Sequence, residues 1–330
     1  MRLLIVSAGR TAQRASNCRS LARLTPNTAV AYTVTALPGD GIGPENLEHV
    51  QRIFKFAHVP VDFEILELSS STPENDALQN AITSIKRNGL AIKGNVETKF
   101  DDPSRNVELR RSLDLFANVL HVKSIPTIPS RHKDLDIVLI RENTEGEYSG
   151  LEYETVPGIV TRKNIERIAR FAFDYAKITA IHKANIQKLG DGLFLRVCKD
   201  IHADKKYAGI AFDAMIVDNA SMQLVSKPSQ FNQSILLMPN LYGRRAVFET
   251  ATRNTGSSLA GQDRANPTAF VRASIDLLRY LELHTNADQI EKALYATLVE
   301  DKQHTADVGG TAKASDVIQS LLNNLKEEIN

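Results

Sequence analysis

The chain has 330 residues, enough for a large core in one domain or two lobes. With 24% charged residues and a net charge of +1 it carries no global field that would recruit nucleic acid or a membrane surface. Two cysteines, Cys18 and Cys198, without metal-type spacing to histidine exclude a disulfide scaffold, and no apolar run approaches a membrane span.

The first thirty residues have a composition of their own. Arg2, Arg10, Arg14, Arg19 and Arg23 are spread among Ser, Ala, Thr and Leu, and no acidic residue precedes Asp40. That pattern predicts a mitochondrial transit peptide over residues 1–27 and hence the mitochondrial matrix; a disordered basic tail is the alternative. Residues 28–330 are then the folded part.

Tyr32–Leu37 alternates as a half-buried strand, and Pro38–Pro44 is a glycine-rich turn opening a helix near Glu45. G-D-G-I-G is neither a dinucleotide fingerprint nor a phosphate loop, so a tight turn is its plain reading. Val61–Leu68 predicts a second strand, Pro73–Asn88 a helix and Leu90–Lys93 a third strand. The polar loop 94–111 gathers Asn95, Thr98, Ser104, Asn106 and Arg110 ahead of a short helix. These donors and this fixed charge suit a polycarboxylate, although an ordinary surface loop would have a similar composition.

Next, the apolar run Ile137–Ile140 turns abruptly into R-E-N-T-E-G-E-Y-S-G, placing Arg141 and Tyr148 beyond a strand's carboxyl end, where α/β sheets bind ligands. A solvated strand-to-hairpin turn explains the charges equally well. Lys163–Lys177 reads as an amphipathic helix, Ile178–His182 as a strand followed by Lys183, and Phe212–Val217 as a strand ended by Asp218. Helices are predicted at Thr268–Leu281, Asp288–Glu300 and Ser315–Leu325, with Asn266 in the turn before the first of them.

Three of these stretches, Leu37–Glu45, Ile140–Glu152 and His182–Asn185, agree in order and spacing with the β-decarboxylating dehydrogenases of isocitrate and isopropylmalate. The chain resembles that family from about Tyr32 to about Leu325, and within it the gamma-type regulatory subunits of NAD-dependent isocitrate dehydrogenase. The resemblance implies an α/β fold with a large lobe from both chain ends and a smaller central lobe carrying a β clasp. Ser104-x-Asn106-x-x-Leu109-Arg110 is similar to the family's isocitrate-binding signature, which implies a tricarboxylate pocket of Asn95, Thr98, Ser104, Asn106, Arg110 and Arg141, taking citrate in gamma-type subunits. Tyr148 and Lys183 align with catalytic residues, the lysine serving a neighbouring subunit's site, and Asp218 with a metal aspartate. Asp40 and Gly41 would border a nucleotide site, and Asn254, Thr255 and Asn266 would contribute to it, with ADP in place of NAD.

The chain also departs from the pattern. Leu120 stands where catalytic chains carry a second carboxylate-binding arginine. Arg253 replaces a histidine of the adenosine-binding turn. The segment around 160, the link around 177 and the stretch after Gly243 are shorter than in the family, which implies a shortened clasp and a trimmed large lobe. No Asp occurs between Asp218 and Asp263. A divalent ion needs several oxygen ligands, so Asp218 alone leaves an incomplete Mg²⁺ site. The expectation is a non-catalytic regulatory subunit, paired with a catalytic subunit that supplies NAD and Mg²⁺ chemistry, and binding citrate and ADP as activators. The alternatives are a chain that oxidises isocitrate itself and an inert, assembly-only paralogue.

Overall fold

The computed structural model describes residues 2–7, 32–71, 74–98, 104–146, 159–175, 177–242 and 255–329. Tyr148, Arg253 and Asn254 lie outside them, as does most of the stretch expected to hold the clasp. The chain divides into two compact units. One is drawn from both ends of the sequence (Gly9–Leu113, Ile125–Pro129, Glu249–Asn330), and the other from its middle together with Met1–Ala8.

In the unit built from the chain ends, a three-stranded parallel sheet runs in the order β3 (Val61–Ile65), β2 (Tyr32–Leu37), β4 (Ala91–Lys93). Val34, Thr35, Ala36 and Leu37 of β2 are all fully buried, as a central strand covered on both faces requires. On one face lies α1 (Gly43–Phe56), whose Leu47, Val50, Ile53 and Phe54 recur at helical spacing. Pro44 in its first turn costs no hydrogen bond, because the amides there have no intrahelical partner. Three more helices complete this layer: α7 (Thr268–Tyr280), α8 (His284–Val299) and α9 (Ala314–Ile329). On the other face Leu37 packs with Leu78, Ala81, Ile82 and Ile85 of α2 (Glu74–Asn88) and with Leu109 of α3 (Arg105–Ser112). Each fully buried Leu, Ile or Phe contributes about 1.5–3 kcal/mol. The buried Thr35 hydroxyl is satisfied by Ser84 Oγ at 2.7 Å and by the Asn88 amide at 2.8 Å, which offsets the cost of a polar group in this core.

The central unit is a six-stranded mixed sheet in the order β1 (Arg2–Ser7), β5 (Leu115–Lys123), β6 (Asp136–Glu142), β9 (Ile235–Met238), β7 (Ile178–His182), β8 (Phe212–Ile216). The pairs β1–β5 and β5–β6 are antiparallel, and the rest are parallel. Part of the segment read as a transit peptide thus lies on the sheet edge. One face is covered by α4 (Arg162–Phe173) and α5 (Gly190–His202), through Ile165, Ile168, Phe173, Phe194 and Val197. Thr161 caps α4 by accepting from the Asn164 amide. The other face meets Ala220 of α6 (Val217–Ser226) and Phe231.

Most predicted elements stand within a few residues of their expected bounds. Two differences matter here. The strand expected at Val61–Leu68 ends at Ile65, and Leu68 turns into the core beside Leu78. Asp218 does not terminate a strand; it lies in the first turn of α6, where a carboxylate interacts favourably with the helix dipole.

Candidate functional sites in the two units

Residues 94–97 fold against the glycine turn 39–43. A Cβ on Gly43 or on Gly94 would sit 1.9 Å from the Pro38 carbonyl oxygen, so the turn and the end of β4 approach as closely as they do because both residues lack one. The Asp40 amide donates to the Asn95 carbonyl at 2.6 Å. Its carboxylate accepts from the amides of Ser70 (3.0 Å) and Glu97 (2.7 Å). Asp40 therefore holds the loop in place.

Thr98 and Ser104 face each other with hydroxyls 3.3 Å apart. Ser104 is the N-cap residue of α3, yet its side chain makes no cap bond; its carbonyl accepts the amides of Val107 and Glu108 instead. Asn106, in the first turn of α3, donates Nδ2 to the Val96 carbonyl at 2.9 Å, and its buried Oδ1 has no hydrogen-bond partner in the chain. Arg110 lies four residues on, on the same side of the helix as Asn106. Thr98 meets Ser104 and Asn106 reaches back to Val96, so residues on both sides of 99–103 bring hydroxyls and an unsatisfied acceptor together, with Arg110 further along α3.

Thr255 and Asn266, the described members of the expected nucleotide set, lie in the same unit. The Thr255 carbonyl accepts the Ile42 amide at 3.0 Å, and its hydroxyl meets Ser257 Oγ at 2.7 Å. Asn266 is engaged at both ends: Oδ1 accepts the Thr268 amide at 3.0 Å, starting α7, and Nδ2 donates to Asp307 at 3.0 Å. The helix-start reading of Asn266 is therefore realised.

Arg141 belongs to the central unit, at the end of β6, and is 4% exposed. Its Nε donates to the Asn240 carbonyl at 3.0 Å, and its guanidinium also reaches the Asn240 side-chain oxygen. Asn240 in turn donates to the Glu145 carbonyl, and the Glu145 carboxylate accepts the amide and hydroxyl of Thr161 at 2.7 and 2.8 Å. Arg141 thus ties the end of β6 to the end of β9.

Lys183 follows β7 and forms an ion pair with Asp218. Its amide donates to Asp191 Oδ2 at 2.5 Å, and Tyr242 donates its hydroxyl to the same oxygen at 2.5 Å. The neighbouring His182 accepts the Ala184 amide through Nδ1, and burial holds its pKa below the usual value. The sequence analysis gives Asp191 and Tyr242 no part, since local spacing carries no sign that they meet. Among the described residues there is no group of three His, Cys, Asp or Glu side chains that could hold a metal. Among the described residues Asp218 thus belongs to no such group, and one carboxylate is too few oxygen ligands for a divalent cation.

The sequence model for isocitrate/isopropylmalate dehydrogenase matches residues 33–257 and 244–321. The chain belongs to that family. Among dehydrogenase relatives, it is 48% identical to the mitochondrial NAD isocitrate dehydrogenase subunit gamma 1 of Rattus norvegicus, over 89% of this chain and 84% of that one. It is 42% identical to the mitochondrial subunit beta of Bos taurus, over 89% and 86%. The crystal structure of isocitrate dehydrogenase from Methylococcus capsulatus superposes with a TM-score of 0.79 at 28% identity, covering 89% of this chain and 99% of that one. The rat alignment runs over 335 positions against a chain of 330, so it carries gaps within this chain. The family's α/β fold is the one described above, with one unit from both chain ends and one from the middle.

Proposed function

We propose that this chain is a regulatory subunit of mitochondrial NAD-dependent isocitrate dehydrogenase, acting in the matrix and without turnover of its own. The observation that carries this reading is the absence of any Asp between Asp218 and Asp263, which leaves Asp218 without the further metal aspartates that the family resemblance implies. A metal must polarise the substrate oxygen and stabilise the enolate left by departing carbon dioxide. That chemistry, with NAD, belongs to a catalytic partner subunit. The family model matches in two stretches that overlap just after Gly243, residues 33–257 and 244–321, which supports the shortening there, where further metal aspartates would stand.

Citrate is the ligand of the loop 94–110. Arg110 supplies charge to a carboxylate, Thr98 and Ser104 supply hydroxyl donors, and the unpartnered Asn106 Oδ1 suits the citrate hydroxyl. Arg141, in the central unit, stands by resemblance at a carboxylate-binding position of the family, and Leu120 stands where catalytic chains carry a further arginine. ADP is the expected ligand near Asn254, Thr255 and Asn266. Lys183 and Tyr148 serve the partner's site, and coupling consists of differing citrate affinity in two states of the assembly.

The test is isothermal titration of citrate, with and without ADP, into the complex with a catalytic partner whose own substrate pocket is disabled. Saturable heat abolished by Arg110→Ala is expected. No heat from a folded complex would remove the regulatory reading and leave assembly as the role. Turnover of isocitrate by the purified chain with NAD and Mg²⁺ would establish the enzyme reading instead.

A further inference from the structure

Asn46 lies in the first turn of α1 and is 2% exposed, and its buried Nδ2 has no hydrogen-bond partner in the chain. An amide left this way costs about 1–3 kcal/mol. Asn46 lines a partly open pocket, with about 10 Å³ of room for a water-sized group, together with Asp40, Gly43, Asn95, Thr255 and Phe270. Two close contacts shape the cavity walls: the glycine turn against Gly94, and the Ile42 amide against the Thr255 carbonyl.

Size and polarity select the occupant. A volume near 10 Å³ is about the least that admits one water, and a buried water needs about 2–4 polar partners. A phosphate or carboxylate is too large for this space. An ammonium ion is the wrong partner for Asn46, which presents a donor. Asp40, Asn95 and Thr255 share that lining, and each carries oxygens able to accept a further hydrogen bond through a second lone pair.

We propose that this cavity is a binding site for a single ordered water, held by Asn46 Nδ2 and by acceptors of the 39–43 turn, Asn95 and Thr255. The water completes the hydrogen bonding of the α1 start and ties it to two loops that come from distant parts of the sequence. This inference does not depend on the citrate or ADP reading.

The test combines a high-resolution crystal structure with oxygen-17 magnetic relaxation dispersion, which counts long-lived internal waters, on the full chain. A density peak within about 2.7–3.2 Å of Asn46 Nδ2 is expected. Asn46→Leu should lose one long-lived water in solution, and Asn46→Met provides the same comparison if the leucine variant does not fold. An empty cavity, an Asn46 amide turned onto a backbone carbonyl, or an unchanged water count in a folded variant would each overturn the proposal.

Discussion

Lys183 and Asp218 form an ion pair in which the lysine side chain is 24% exposed and the aspartate 68% exposed. One partner is largely in solvent, so the pair contributes at most about 1 kcal/mol to stability. Asp218→Asn should therefore move the urea unfolding free energy by less than that amount. Lys183→Met has a larger expected effect elsewhere. A proton-transferring side chain is worth about 10²–10⁴-fold, so the proposed role in the partner's site predicts that the variant lowers kcat of the assembled enzyme by about 10² or more while this chain's own stability stays nearly constant. An unchanged kcat would remove Lys183 from the partner's chemistry.

The backbone of Lys183 is fixed by a different group. Asp191 is 5% exposed and takes two hydrogen bonds on one carboxylate oxygen, from the Lys183 amide and the Tyr242 hydroxyl. Tyr242→Phe removes one donor while Asp191 keeps the other, so a loss of about 1 kcal/mol is expected. Asp191→Ala strands both donors and should cost about 1–3 kcal/mol or more. Urea denaturation of the two variants gives the ranking, and equal losses would contradict the shared-oxygen geometry.

Strands and helices with strong periodicity were legible in the sequence because burial imposes the period. Tyr32–Leu37 and Ile178–His182 stand where the apolar runs place them. The α5 helix at Gly190–His202 was not anticipated, since two glycines at its start mimic a loop signal. The residues of 94–110 were singled out by their types and by their resemblance to the family signature. The commitment of Asp40 to Ser70 and Glu97, and of Arg141 to Asn240, was not. Those partners lie between 30 and 99 residues away along the chain, and no local pattern encodes such pairings.

The core of the central unit permits a direct prediction. Phe173 is fully buried, with its ring 5.3 Å from that of Tyr207, 5.7 Å from Phe212 and 6.0 Å from His202. It anchors α4 to the loop after α5 and to β8. Truncation leaves a cavity among rings that cannot easily collapse, so Phe173→Ala should cost about 3–5 kcal/mol. Phe173→Leu should cost distinctly less, because most of the volume is kept. Comparable losses for both in chemical denaturation would mean that the aromatic contacts, not the volume, dominate.

Glu142, at the end of β6, is 6% exposed, and burial pushes its carboxyl pKa above the ordinary value of 4.5. Hydrogen bonds from Thr144 and the Glu145 amide oppose that rise without cancelling it. The sign of the linkage follows. Between the unfolded value and the raised folded value, the folded chain binds more protons, so this group's contribution to stability falls as pH rises from about 4.5 and levels off above the folded pKa. Glu142→Gln is permanently neutral and keeps an acceptor oxygen for Thr144. The variant should therefore gain on the wild type as pH increases, with its relative stability higher at pH 7 than at pH 4.5 in urea titrations at matched ionic strength. The reverse trend, a variant that loses ground toward pH 7, would mean that the hydrogen bonds to the ionised carboxylate outweigh its desolvation.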